Sequence, residues 1–113
     1  MISFEEFLKD NLVLLDGAMG SLIYEKGVFI DKCYDELNLS RPELIGSIHE
    51  EYVRSGARVL ETNTYGANRF KLKSHNLLDQ MEEINRKGVE LAREAAGDEV
   101  YVAGSMGPSG LEI

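Results

Sequence analysis

Leu12-Val13-Leu14-Leu15-Asp16 is a run of four apolar residues without polar alternation, closed by Gly17. A run of this kind suits a short strand buried on both faces of a parallel sheet. Two later stretches share the pattern. Arg58-Val59-Leu60-Glu61-Thr62 leaves through the polar segment Asn63-Thr64-Tyr65-Gly66-Ala67-Asn68. Val100-Tyr101-Val102-Ala103 leaves through Gly104-Ser105-Met106-Gly107-Pro108-Ser109-Gly110. Helical periods lie between these runs. Pro42 suits a first helical position with Ser40 as cap, and Leu44, Ile45, Ile48 and Tyr52 recur at helical spacing up to Gly56. A long helix is expected over 76–96, with Leu77, Leu78, Met81, Ile84, Val89, Leu91 and Ala92 on its buried side and Gly97 closing it. Ser3 and Glu6 have the form of a capping box for a short helix ending near Asn11. Met19, Leu22 and Ile23 mark a helix within 18–26, stopped by Gly27. Residues 28–40 show no clean period.

Strands alternating with helices imply parallel crossovers and an α/β fold. Three parallel strands with open edges leave backbone groups and apolar side chains without partners. A closed eight-stranded barrel takes about 250 residues, whereas this chain has 113. The expectation is therefore an incomplete domain over 1–113, a fragment of a longer polypeptide.

Composition excludes several classes of function. Twenty acidic against twelve basic side chains give a formal charge of -8, so no net field draws phosphate-rich nucleic acid to the chain. The longest apolar run, residues 12–15, is far short of the roughly 20 residues of a membrane span. The acidic start Met1-Ile2-Ser3-Phe4-Glu5-Glu6 lacks the basic and apolar regions of a signal peptide. The reading is of a cytoplasmic protein. A single cysteine, Cys33, forms no internal disulfide and no thiolate cluster.

In parallel α/β folds, ligands sit at the carboxyl ends of strands. The first exit is Asp16-Gly17-Ala18-Met19-Gly20-Ser21. A carboxylate at a strand tip can accept hydrogen bonds from an ammonium, and glycines expose main-chain N–H groups. That pair suits an amino acid zwitterion, though an ordinary turn with a capping aspartate reads the same way. The second exit places five hydrogen-bonding side chains in sequence, Glu61 to Tyr65, and reads as a site wall or a turn-rich surface loop. The Gly104–Pro108 exit is a third candidate and equally a tight turn. Cys33, His49 and His75 are spaced too irregularly for a zinc motif. His49 and Tyr52 are expected to decorate the helix from Pro42, and Glu50-Glu51 and Glu82-Glu83 to be solvated. Gly17-x-x-Gly20-Ser21 lacks the lysine of a phosphate loop.

Taken in order, Asp16-Gly-Ala-Met-Gly-Ser21, Leu37-Asn-Leu-Ser-Arg-Pro-Glu43 leading into Ile48-His49-Glu-Glu-Tyr52, Glu61-Thr-Asn-Thr-Tyr-Gly-Ala-Asn68 and Val102-Ala-Gly-Ser-Met-Gly-Pro108 resemble the homocysteine-binding domain of the homocysteine S-methyltransferases. The run 67–72 and the segments Glu83-Ile-Asn-Arg86 and Gly88-Val-Glu-Leu-Ala-Arg-Glu94 look closest to bacterial two-module members that carry a methylenetetrahydrofolate reductase after this domain. The resemblance implies the amino-terminal three βα units of a (β/α)8 TIM barrel. It also implies an enzyme in which zinc holds homocysteine as a thiolate, nucleophilic where the free thiol, with a pKa of about 8.5, is mostly protonated. The sulfur takes a methyl group and methionine forms.

Carried over by position, Asp16 takes the ammonium, Gly17 and Ala18 offer N–H groups to the carboxylate, and Glu61, Thr62, Asn63 and Thr64 form the next wall, with Asn63 the preferred contact. No residue here is assigned a catalytic or metal role. The family's zinc cysteines lie on late strands, and Cys33 is outside that motif. The resemblance leaves the methyl donor open among a folate, a cobalamin, S-methylmethionine and betaine, and the chain alone is expected to be inactive. Two other readings remain: a non-catalytic small-ligand or nucleotide-binding α/β module, and a piece that persists by self-association through its open edges.

Overall fold

The computed structural model describes residues 1–28 and 33–109; Gly110 of the expected third exit lies outside that range. Among the described residues, eight regular elements and two 3-10 turns follow one another. Helix α1, Phe4–Asp10, starts as its sequence specifies, with the Ser3 hydroxyl accepting the Glu6 N–H at 3.2 Å. It lies against β2 through Phe4 and Phe7, whose rings meet Tyr101 at 5.2 and 5.5 Å. The Tyr101 hydroxyl donates to the Ile2 carbonyl at 2.7 Å.

Helices α2 (Met19–Glu25), α3 (Leu37–Ser40) and α4 (Pro42–Arg54) follow. Pro42 occupies the first turn of α4 as expected, but Ser40 does not cap it. Ser40 belongs to α3, and Arg41 stands at the cap position without a side-chain bond. Strand β1 is Val59–Glu61 and β2 is Tyr101–Ala103. They pair in parallel, with Val59 opposite Tyr101 and Glu61 opposite Ala103. Between them come α5 (Arg69–Ser74) and α6 (Met81–Ala96).

Further expectations need correction. The run 12–16 forms no regular strand; its sheet pairing is one parallel bridge from Leu15 to Val59. It is not buried on both faces either, because Leu12, Leu14 and Leu15 are 99%, 56% and 52% exposed. The physical reason is that the segment has β1 on one side and no described element over its apolar side chains. The long helix begins at Met81 rather than 76, since residues 78–80 form a 3-10 turn. Leu78 and Val89 are exposed, not buried. The buried side of α6 is instead Ile84, Gly88, Leu91, Ala92 and Ala96, steps of three and four that track one helical face.

Among the described residues the apolar core divides into three clusters. Ile23, Leu37, Leu44, Ile45, Ile48 and Leu91 lock α2, α3, α4 and α6 together. Ala57, Leu60, Ala96 and Val100 back the sheet, and Ala67, Leu72 and Ile84 seat α5 on α6. Among the described residues no helix is long and apolar enough to cross a membrane.

Candidate functional site

The backbone hydrogen bonds of the sheet align three exits at one end. Asp16 N–H donates to the Val59 carbonyl at 3.0 Å, Arg58 N–H to Leu14 at 2.7 Å and Thr62 N–H to Ala103 at 2.9 Å. Asp16, Glu61 and Ser105 therefore come together at the edge of a cavity of about 430 Å³. Six of the seven residues carried over by position line it: Asp16, Gly17, Ala18, Glu61, Thr62 and Asn63. Thr64 does not line it.

Asp16 is the most constrained of them. Its Oδ2 accepts the Glu61 N–H at 3.0 Å, while Oδ1 is buried without a hydrogen-bond partner among the described residues. Burial pushes its pKa up; the Glu61 N–H opposes this, and the nearby Glu61 carboxylate reinforces it. The carboxylate is thus short of a cationic or donor partner. Gly17 is required by close approach, because a Cβ there would stand 2.8 Å from the Tyr52 hydroxyl oxygen. That hydroxyl donates to the Ala18 carbonyl at 2.9 Å.

The second exit is held by its own hydroxyls. Ser105 N–H donates to Thr62 Oγ1 at 3.0 Å, and Thr64 Oγ1 donates to the Ser105 carbonyl at 2.7 Å. The short 2.6 Å contact between the two threonine hydroxyls then has Thr62 as donor, since the Thr64 proton is committed. A closed ring of three bonds fixes the third exit to the second. Asn63 gives both amide protons to the protein, to the Tyr34 carbonyl at 2.9 Å and to Asn38 Oδ1 at 3.0 Å.

The far wall contains residues that periodicity did not point to. Asp35, buried, accepts the Gly66 N–H at 3.1 Å and faces the Cys33 thiol at 3.8 Å. Burial raises the pKa of both groups. Lys71 and His75, one turn apart on and just after α5, complete that wall. His49 and Tyr52 do not simply decorate α4. His49 is fully buried with neither ring nitrogen bonded among the described residues, and burial pushes its pKa down to about 4. Tyr52 reaches the first exit. The available signal was their place one turn apart on a helix followed at once by Gly56, Ala57 and β1.

Among the described residues no three His, Cys, Asp or Glu side chains converge as a metal ion needs. Cys33, the one thiol, is engaged with Asp35. This arrangement can hold a small zwitterion by its charged groups.

A family model described as homocysteine S-methyltransferase matches residues 13–111. The methionine synthase of Mycobacterium tuberculosis (strain ATCC 25618 / H37Rv) is 34% identical over 116 aligned residues, covering 91% of this chain and 10% of its own. That of Mycobacterium leprae (strain TN) matches to the same extent. Among solved structures, the metallated form of the homocysteine methyltransferase MmuM from Escherichia coli superposes with a TM-score of 0.79 at 32% identity. The match covers 93% of this chain and 41% of that one. Its oxidized form gives 0.81, again at 32% identity and 41% coverage. The chain therefore spans a tenth of the length of these methionine synthases and about two fifths of MmuM, and its mixed helix and strand fold resembles a fragment of the latter.

Proposed function

Because the chain belongs to the homocysteine S-methyltransferase family, we propose that it builds the amino-acid end of a homocysteine pocket in a zinc-dependent, cytoplasmic methyltransferase that forms methionine. The observation that carries this reading is the buried Oδ1 of Asp16 at the cavity edge, without a partner among the described residues. An ammonium placed there supplies the missing donor and the missing positive charge together. The Gly17 and Ala18 N–H groups then take the α-carboxylate. Glu61, Thr62 and Asn63 wall the ligand, with Thr64 acting behind them on the Ser105 carbonyl.

These residues bind and orient; none of them reacts. The described residues do not fit zinc, so its ligands are assigned outside this chain and no step is routed through the metal. The methyl donor, whether a folate, a cobalamin, S-methylmethionine or betaine, is likewise selected by residues outside it. Isothermal titration with L-homocysteine and with mercaptobutanoate, which lacks the amino group, tests the reading. Asp16→Asn weakens homocysteine binding about 10- to 100-fold, as expected for a charged hydrogen bond, and leaves the weaker binding of the analogue unchanged. Equal affinity of the wild-type chain for both ligands would defeat the assignment.

A further inference from the structure

Tyr52 stands on α4 two residues before its end, and its ring packs against both of the larger apolar clusters. Its hydroxyl crosses 34 positions of sequence to donate to the Ala18 carbonyl at 2.9 Å. The same hydroxyl and ring carbons lie 2.8 to 3.1 Å from the point where a Gly17 Cβ would stand, so the loop rests directly on the ring. No local device does this work: Ala18 is the cap of α2 and has no side chain to bond the helix end. A trans peptide points its carbonyl and its N–H in opposite directions. Holding the Ala18 carbonyl on Tyr52 therefore turns the Met19 N–H away from Tyr52. Asp16 is also close enough for its carboxylate to add, after burial, to the upward shift of the Tyr52 pKa.

We infer that Tyr52 is a positioning residue whose hydroxyl straps the Asp16–Ala18 loop to α4 and sets the conformation in which that loop meets an amino-acid ligand. The inference rests on the reading of this loop as part of a homocysteine pocket. It differs from plain core packing in one respect. Packing needs the ring, whereas the strap needs the hydroxyl, and Tyr52→Phe separates the two.

The experiment uses the full chain, wild type and Tyr52→Phe, with amide nitrogen relaxation, L-homocysteine titration and thermal melting. The variant is expected to retain the melting transition while the order parameters of the Gly17, Ala18 and Met19 amides fall from the rigid range toward about 0.6. Those of α6 and β2 stay as they were, and the homocysteine Kd rises about 3- to 10-fold, the worth of one hydrogen bond. Unchanged order at the loop overturns the strap whatever homocysteine does. Lower order with an unchanged Kd overturns the positioning role. If the wild-type chain binds no homocysteine, the ligand assignment fails, and loop order alone decides whether Tyr52 holds the loop.

Discussion

Asn38 and Asn63 bond one another twice: the Asn38 amide donates to the Asn63 carbonyl at 2.8 Å, and the Asn63 amide returns a proton to Asn38 Oδ1 at 3.0 Å. Asn38 is fully buried and also donates to the Ile84 carbonyl on α6 at 3.1 Å. One side chain thus pins α3, α6 and the exit of β1 at a single point, directly behind the cavity wall. Buried polar networks of this kind are costly when broken, because the abandoned groups have no water to turn to.

Asn38→Leu is expected to destabilise the fold by about 2–4 kcal/mol, since it strands the Asn63 amide and carbonyl in the interior. Urea denaturation measures this. A loss smaller than about 0.5 kcal/mol, the range of ordinary surface changes, would show that the network is dispensable.

Gly88 on α6 faces the same point. A Cβ there would lie 2.7 Å from Thr64 Cγ2 and 2.9 Å from Asn38 Nδ2. Alanine in a helix interior normally gains about 1 kcal/mol over glycine, so crowding and propensity oppose each other. The crowding involves buried groups with little room to move, and overpacking costs about 1–3 kcal/mol. Gly88→Ala is therefore expected to lower Tm, and a raised Tm would mean that α6 can draw back.

Thr64→Val keeps the shape of the side chain and deletes the hydroxyl. The Ser105 carbonyl loses its donor and Thr62 its acceptor, at a cost of about 1–3 kcal/mol. Amide exchange at Ser105 and Gly107 should quicken more than at α4. Uniform exchange across the chain would indicate that the hydroxyl ring does not hold the third exit.

His49 gives a pH dependence with a definite sign. Its pKa is about 4 when folded against an ordinary 6.5, because burial disfavours the imidazolium. The unfolded chain therefore takes up the proton first. Stability from neutral His49 is complete above pH 6.5 and is lost as pH falls toward 4, roughly 3 kcal/mol over that span. Asp16 and Asp35, with raised values, act in the opposite direction, so the effect is isolated by difference. Urea midpoints from pH 7.5 to 4.5 should fall more steeply for the wild type than for His49→Leu, and parallel profiles would remove His49 as the cause.

The sequence made the capped and periodic elements legible. Ser3 marks the start of α1, Pro42 opens α4, and the parallel pair of β1 and β2 sits within one residue of the expected runs. The run 12–16 misled because a strand is a property of its neighbours as much as of its residues, and here it pairs through one bridge. Helix α5 was missed because six residues are too few for a period. Its signal was the cap, Asn68 Oδ1 accepting the Lys71 N–H at 2.9 Å. The candidate site was legible on its strand-exit side, Asp16 to Ala18 and Glu61 to Asn63. It was not legible at Asp35 and Asn38, which lie in a stretch without a clean period, nor at His49 and Tyr52, expected only to decorate the helix; tertiary packing buries or half-buries all four.

The most direct measurement is the titration of the Asp16 carboxyl by carbon NMR, with and without saturating L-homocysteine. In the free chain Asp16 should titrate above the ordinary 3.8, because burial disfavours its charge. An ammonium seated on Oδ1 should pull the midpoint back down, whereas mercaptobutanoate, having no amino group, should leave it in place. An Asp16 midpoint that stays unmoved while homocysteine is demonstrably bound would contradict the pocket proposed here.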